Sequence, residues 1–141
     1  MRNIGNGTKT IIGAIFGVIF AALGFHLTNR LIYGSPESAL KEEMDKYNKQ
    51  LPQKLDAYSV LDSVSMPSSM IVNYHITVDV LKEEVDYDSV KENIVPNLLN
   101  NAKNEAGLHS FRKMKITLLY KYYDNNGDIF FEYAITPEMY Q

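Results

Sequence analysis

The chain begins with a stretch that is hydrophobic on every side and continues with segments that are hydrophobic on only one side. Between Lys9 and Arg30, twenty residues carry no formal charge. A helix of that length reaches about 30 Å, the thickness of the hydrocarbon core of a membrane. The pattern predicts a transmembrane or signal-anchor helix over about residues 10–29. It divides the chain into a tail with this helix, 1–34, and an exported domain, 35–141.

A cleavable signal peptide is the alternative interpretation of the same stretch. Arg2 and Lys9 would form its basic region, Ile11–Phe20 its apolar region, and the Ala-Leu-Gly of residues 22–24 its cleavage site. A retained anchor makes the chain a single-pass protein of the cell membrane, with the C-terminal domain outside the cytoplasm. Cleavage makes it a secreted protein, so both interpretations export the domain.

Small residues occupy one stripe of the predicted membrane helix. Gly13, Gly17 and Ala21 recur every four residues, and Gly24 follows three residues later. Small side chains allow the backbones of two membrane helices to approach closely. We predict a helix contact on this stripe, and a homodimer through the anchor helix is one assembly that it would support.

The exported domain is predicted to begin with a helix. Ser35 suits the N-cap and Pro36 the first helical position, and Pro52 ends the pattern. Helical spacing relates four apolar residues, which are Leu40, Met44, Tyr47 and Leu51. A second helix is predicted to begin near Asp88 or Ser89, where Ser89 and Glu92 have capping-box spacing, and to end at Gly107. Its apolar stripe consists of Val90, Ile94, Leu98 and Ala102, with Pro96 inside it.

Alternation of apolar and polar residues predicts the strands. Val60–Met66 and Met70–Val80 precede the second helix, and a hairpin around the turn at residues 124–127 follows it. The inner face of the hairpin is predicted to consist of Met114, Ile116, Leu118, Tyr120 and Tyr122, and of Ile129, Phe131, Tyr133 and Ile135. The order α-β-β-α-β-β indicates an α+β fold. We expect a four-stranded, mainly antiparallel sheet with helices on one face.

Composition excludes several classes of function. The chain has no cysteine, so disulfides, thiolate nucleophiles and thiolate metal sites are ruled out. Residues 1–30 carry +3 and the remainder −6, which disfavours nucleic acid as a partner. His26, His75 and His109 lack the spacing of metal ligands, so no metal or other cofactor is expected.

Two acidic groups could suggest chemistry but have simpler explanations. Asp86 and Asp88 could act as paired carboxylates, although acids are also favoured at a helix N-terminus. Residues 124–128 superficially resemble a calcium loop but lack its ligand spacing and its closing glutamate, so a hairpin turn explains them better. We therefore expect no catalytic residues.

Tyrosine is the unusual component of the chain, with ten tyrosines and no tryptophan. Most are expected in the core, because a buried tyrosine removes a large apolar area from water. Tyr47 and Leu51, at the end of the first helix, form a candidate groove for a partner segment. The alternative is that these two residues complete the core.

Two short motifs carry a resemblance to a known family. Asn48-Lys49-Gln50-Leu51-Pro52 resembles an N-x-x-LP helix ending, and Ile135-Thr136-Pro137-Glu138 resembles an I-T-x-x-C terminus. Both are similar to the beta-type pilot lipoproteins of type II secretion. The resemblance covers about residues 38–141 and implies a domain that grips a segment of an outer-membrane secretin. Those pilotins carry a lipobox cysteine and a disulfide; this chain has no cysteine, so neither feature carries over.

The functional expectation is a membrane-tethered, non-enzymatic interaction or assembly domain whose partner is a membrane or envelope protein. One alternative is a structural accessory subunit of a membrane complex, held by its anchor helix. A small exported enzyme is the other alternative.

Overall fold

The computed structural model describes residues 36–141, in which helices pack against one face of a β-sheet. The helices are α1 (Pro36–Asn48), α2 (Tyr87–Asn104), α3 (His109–Met114) and α4 (Pro137–Tyr140). The strands are β1 (Gln53–Lys54), β2 (Ser59–Ser68), β3 (Ile71–Val78), β4 (Thr117–Tyr123) and β5 (Ile129–Ile135). Single 3-10 turns cover Lys82–Glu84 and Ala106–Leu108.

The N-terminal predictions fall on a part of the chain that the structure does not describe. The span at residues 10–29 and its stripe of Gly13, Gly17, Ala21 and Gly24 lie outside the described residues. From residue 36 onward, no helix has both the length and the apolar character needed to cross a membrane.

The sheet corrects the predicted topology. Over residues 36–141 it has five strands in the order β1-β2-β3-β4-β5, not four, because the two-residue strand β1 pairs with the start of β2. The central pair β3–β4 is parallel and the other pairs are antiparallel, so the sheet is mixed. Helix α2 makes the crossover that returns the chain to start β4 beside the start of β3, as parallel pairing requires.

The predicted inner face of the sheet is largely confirmed. Val72, Tyr74, Ile76 and Val78 of β3 are buried, and Leu118, Tyr120 and Tyr122 of β4 lie beside them. Their core also contains the stripe of α2, namely Val90, Ile94, Leu98 and Ala102. The inward assignment of Ile129 was wrong. This residue is exposed because a register shift between Tyr122 and Tyr123 breaks the alternation of β5.

Helix boundaries differ from the prediction at the start of α2. Asp86 is the N-cap and its carboxylate accepts from the Ser89 backbone N–H at 3.5 Å, so the capping box predicted at Ser89 is not formed. Pro96 lies inside α2, which continues through it to Asn104 rather than dividing. Gly107 follows the end of the helix, within the second 3-10 turn.

Two short helices near the C-terminus were not predicted. Helix α3 includes Met114, so the prediction that placed Met114 on the strand of the hairpin was wrong. Lys115 ends the helix with a left-handed φ of 57°. Helix α4 follows β5 and buries Tyr140. The Tyr140 hydroxyl donates to the carbonyl oxygens of Ile116, at 2.7 Å, and Phe111, at 3.5 Å. The C-terminus is therefore fastened to the connection between α3 and β4.

Candidate functional site

Tyr47 and Leu51 lie together at the junction of α1 and β1. Tyr47 is in the last turn of α1, and its hydroxyl donates to Gln53 Oε1 at 3.4 Å. Leu51 follows three residues after the helix end and precedes Pro52, with a backbone N–H bond to the Asn48 carbonyl at 3.2 Å. Both side chains are partly buried and pack against the core. The structure thus brings the two predicted groove residues to one place and leaves part of each exposed.

Tyr47 packs against the core, which contains the buried aromatic residues Tyr74 and Tyr120. Burial raises the pKa of Tyr47. Tyr74 and Tyr120 stack in the core with ring centroids 5.1 Å apart and an angle of 11° between their planes. Burial raises the pKa of Tyr74 well above its usual value, and Tyr120 and then Tyr47 add to the effect. Tyr47 packs against the core and lies close enough to Tyr74 to raise its pKa.

Asn48 also belongs to this site, and residue spacing did not predict its structural role. Its side-chain amide donates to the Val64 carbonyl at 2.8 Å, and its Oδ1 accepts from the Val64 N–H at 2.9 Å. The amide thereby pairs with β2 as a neighbouring strand would, at a point that β1 is too short to reach. Asn48 fixes the end of α1 to the sheet edge and so positions Tyr47 and Leu51. The N-x-x-LP motif was the available signal.

The outer face of the sheet carries a cluster of polar side chains centred on His75. Ser65 Oγ lies 2.8 Å from His75 Nε2, and the Tyr123 hydroxyl lies 2.9 Å from Nδ1. Burial lowers the pKa of His75 and the Lys121 ammonium lowers it further, whereas Asp62 acts in the opposite direction. Because hydroxyl groups occupy both ring nitrogens, His75 joins strands β2, β3 and β4.

The carboxylates considered as candidate catalytic or metal-binding groups accept hydrogen bonds from backbone N–H groups instead. Asp86 caps α2, as described above. Asp124 is fully buried, and its carboxylate accepts from the backbone N–H groups of Lys82, Asn126 and Asp128 at 2.9 to 3.0 Å. Burial raises the pKa of Asp124, but these backbone bonds outweigh it and the net shift is downward. In the described part of the chain, no group of three or more His, Cys, Asp or Glu residues could hold a metal ion.

Solved structures with a similar fold include two pilotins. The type II secretion pilotin EpsS from Vibrio vulnificus has 15% identity and a TM-score of 0.53, with 74% of this chain and 91% of that chain covered. The pilotin AspS from Vibrio cholerae has 10% identity and a TM-score of 0.53, covering 73% of this chain and 90% of that chain. The resemblance to pilotins is therefore confirmed at the level of the fold.

A further similar structure comes from Pseudomonas aeruginosa and is described as a secreted protein. It has 10% identity and a TM-score of 0.59, covering 77% of this chain and 98% of that chain. Comparison with curated protein sequences gives no match. The family model described as a domain of unknown function, DUF8479, matches residues 35–131. The α+β domain accounts for nearly all of that match, and the chain belongs to this family.

Proposed function

We propose that residues 35–141 form a non-enzymatic protein-binding domain, held outside the cytoplasm by residues 10–29. The observation that carries the proposal is the pair of partly exposed apolar side chains, Tyr47 and Leu51, at a junction that Asn48 holds in place. A tyrosine offers a large contact area and few rotatable bonds, which suits it to recognition.

Binding is favoured over catalysis because the side chains that could act in catalysis are held in hydrogen bonds within the domain. The two ring nitrogens of His75 are bonded to Ser65 and Tyr123. The carboxylates of Asp86 and Asp124 accept from backbone N–H groups. The Asp124 carboxylate also accepts from the backbone N–H groups of Asn126 and Asp128. Each of these groups therefore has a structural role within the domain, which supports binding rather than catalysis.

The partner that this junction suits is a polypeptide segment with apolar side chains. Such a segment would pack against Tyr47 and Leu51 and would replace water on their exposed parts. The similar fold of the Vibrio pilotins supports a partner that belongs to the cell envelope. An envelope protein is also the kind of partner that an exported, membrane-tethered domain can reach.

A photo-reactive amino acid at position 47 is expected to crosslink the full-length chain to a second protein in cells. The matched control is the same amino acid at position 45, where Asp45 is exposed on the same helix. Mass spectrometry of the crosslinked product identifies the partner segment, and Leu51→Asp should abolish the product because a charge would then face the apolar segment. Capture at 45 and 47 alike, or capture of the chain by itself, would show that Tyr47 only completes the core.

A separate prediction concerns the proposed anchor, residues 10–29. Because residues 10–29 are free of charge and long enough to span a bilayer, they are expected to remain attached in the mature protein. Intact-mass measurement of membrane-purified protein should give the mass of a chain that retains this segment. A mature N-terminus at Phe25 would instead establish signal cleavage and remove both the tether and the proposed stripe contact.

A further inference from the structure

The three exposed large hydrophobic residues of the described chain all lie at one end of the domain. Tyr58 is 41% exposed, Tyr87 is 51% exposed and Ile129 is 46% exposed. Tyr58 precedes β2, Tyr87 begins α2 and Ile129 begins β5. Exposed large hydrophobic side chains that share one surface are typical of a contact site.

Backbone and side-chain bonds join the loops that carry these residues. The Asp79 N–H donates to the Tyr58 carbonyl at 2.7 Å, and Asn125 Nδ2 donates to Asp79 Oδ1 at 2.8 Å. Lys82 Nζ lies 3.2 Å from the Asp128 carboxylate. Residues 55–58, 79–88 and 124–129 therefore adjoin one another, and we call the exposed part of these loops the acidic end.

Charge is concentrated on the acidic end. Its three segments contain eight acidic side chains and one lysine, whereas residues 35–141 as a whole carry −6. Glu84 and Asp124 are buried, and the other six acidic side chains are at least partly exposed. Asp86 and Asp88 flank the exposed Tyr87, and Asp128 precedes the exposed Ile129. The hydrophobic residues mark the surface as a contact site, and the surrounding charge determines which partner can approach it.

The acidic end also lies away from the point where the chain enters the domain. Ser69 Oγ, in the turn between β2 and β3, donates to Glu37 Oε2 in the first turn of α1 at 2.9 Å. Strand β3 runs from that turn to Asp79 over eight residues, which corresponds to about 25 Å. The start of α1 and the acidic end therefore lie at opposite ends of the sheet.

We propose that the acidic end binds a basic amphipathic polypeptide segment, in which lysine or arginine alternates with apolar residues. Such a segment places its cations beside Glu83, Asp88 and Asp128 and its apolar side chains on Tyr87 and Ile129. A lipid headgroup or nucleic acid would bring phosphate to this acidic surface and is repelled. This site is separate from the Tyr47 junction and does not depend on the function proposed there.

The test uses the full-length chain and a fluorescent synthetic peptide of alternating Lys and Leu, followed by anisotropy. One control peptide has Glu in place of Lys, and the other has Ser in place of Leu. We expect the Lys–Leu peptide alone to bind. Its Kd should rise about fivefold or more for Tyr87→Ser and for Asp88→Lys. Asp45→Lys, an equal charge change on α1, should leave the Kd unchanged, and Tyr47→Ser is measured alongside to report binding at the Tyr47 junction.

Thermal melts of each variant show that it is folded before its binding is interpreted. Equal binding of the Lys–Ser peptide, or equal weakening by Asp45→Lys and Asp88→Lys, would mean that only the overall charge attracts the peptide and would overturn the proposal. No binding to the wild-type chain would overturn it as well. A loss for Tyr47→Ser with none for Tyr87→Ser would assign the peptide to the Tyr47 junction instead.

Discussion

Replacing Tyr120 by Ala is expected to lower the free energy of unfolding by about 4 kcal/mol, as for other large aromatic residues removed from a core. Tyr120 is fully buried in the strand between β3 and β5 and stacks on Tyr74. Its removal leaves a cavity at the centre of the sheet. Chemical denaturation followed by circular dichroism measures the loss.

The matched control is Lys121→Ala, because Lys121 is the next residue of β4 and points to the opposite face of the sheet. This change is expected to cost about 0.5 kcal/mol or less, as for surface substitutions. If the two variants lost similar stability, the assignment of inner and outer faces in β4 would be wrong.

Replacing Asp124 by Ala is expected to destabilise the domain by about 3 kcal/mol, because it removes the acceptor from three backbone N–H groups around a buried carboxylate. These groups belong to Lys82, Asn126 and Asp128, so the change loosens both the hairpin turn and the loop before α2. Asp128→Ala is the matched control. Its carboxylate is half exposed and pairs with Lys82, so its loss is expected to leave stability close to wild type.

The stabilisation by Asp124 also depends on pH in a defined direction. Folding lowers the pKa of this carboxyl, so its contribution is fully present above the unfolded pKa of about 3.9 and is lost as the pH falls through the lower folded value. Denaturant melts at neutral pH and at acid pH measure the difference between wild type and the Asp124 variant. A difference that stayed constant down to about pH 2 would contradict an ionised Asp124 as the source.

Local patterns predicted the elements whose signals are contained in a few adjacent residues. Pro36 begins α1, the turn at 124–127 joins β4 to β5, and alternation assigns the inner face of β3. The parallel pairing of β3 with β4 could not be derived in this way, since alternation fixes the face of a strand and not its neighbour. The bulge that exposes Ile129 likewise depends on register between two strands.

The candidate site was predictable in part. Helical spacing identified Tyr47 and Leu51, and the structure places Tyr47 in the last turn of α1 and Leu51 three residues after the helix ends. The contribution of Asn48 could not be derived from spacing, because its partner Val64 lies 16 residues away on a strand edge. The acidic end was missed for a similar reason: its loops are far apart in sequence, and only the sheet brings them together.

Hydrogen bonds from Tyr140 hold helix α4 to the rest of the domain, and these bonds do not depend on redox conditions. Its hydroxyl donates hydrogen bonds to the carbonyl oxygens of Ile116 and Phe111. Burial raises the pKa of Tyr140 to about 12, so the hydroxyl keeps its proton at any physiological pH. Reductants that cleave a disulfide leave these hydrogen bonds intact, and no oxidising enzyme is required to form them. The domain can therefore reach the same folded state in a reducing or an oxidising compartment.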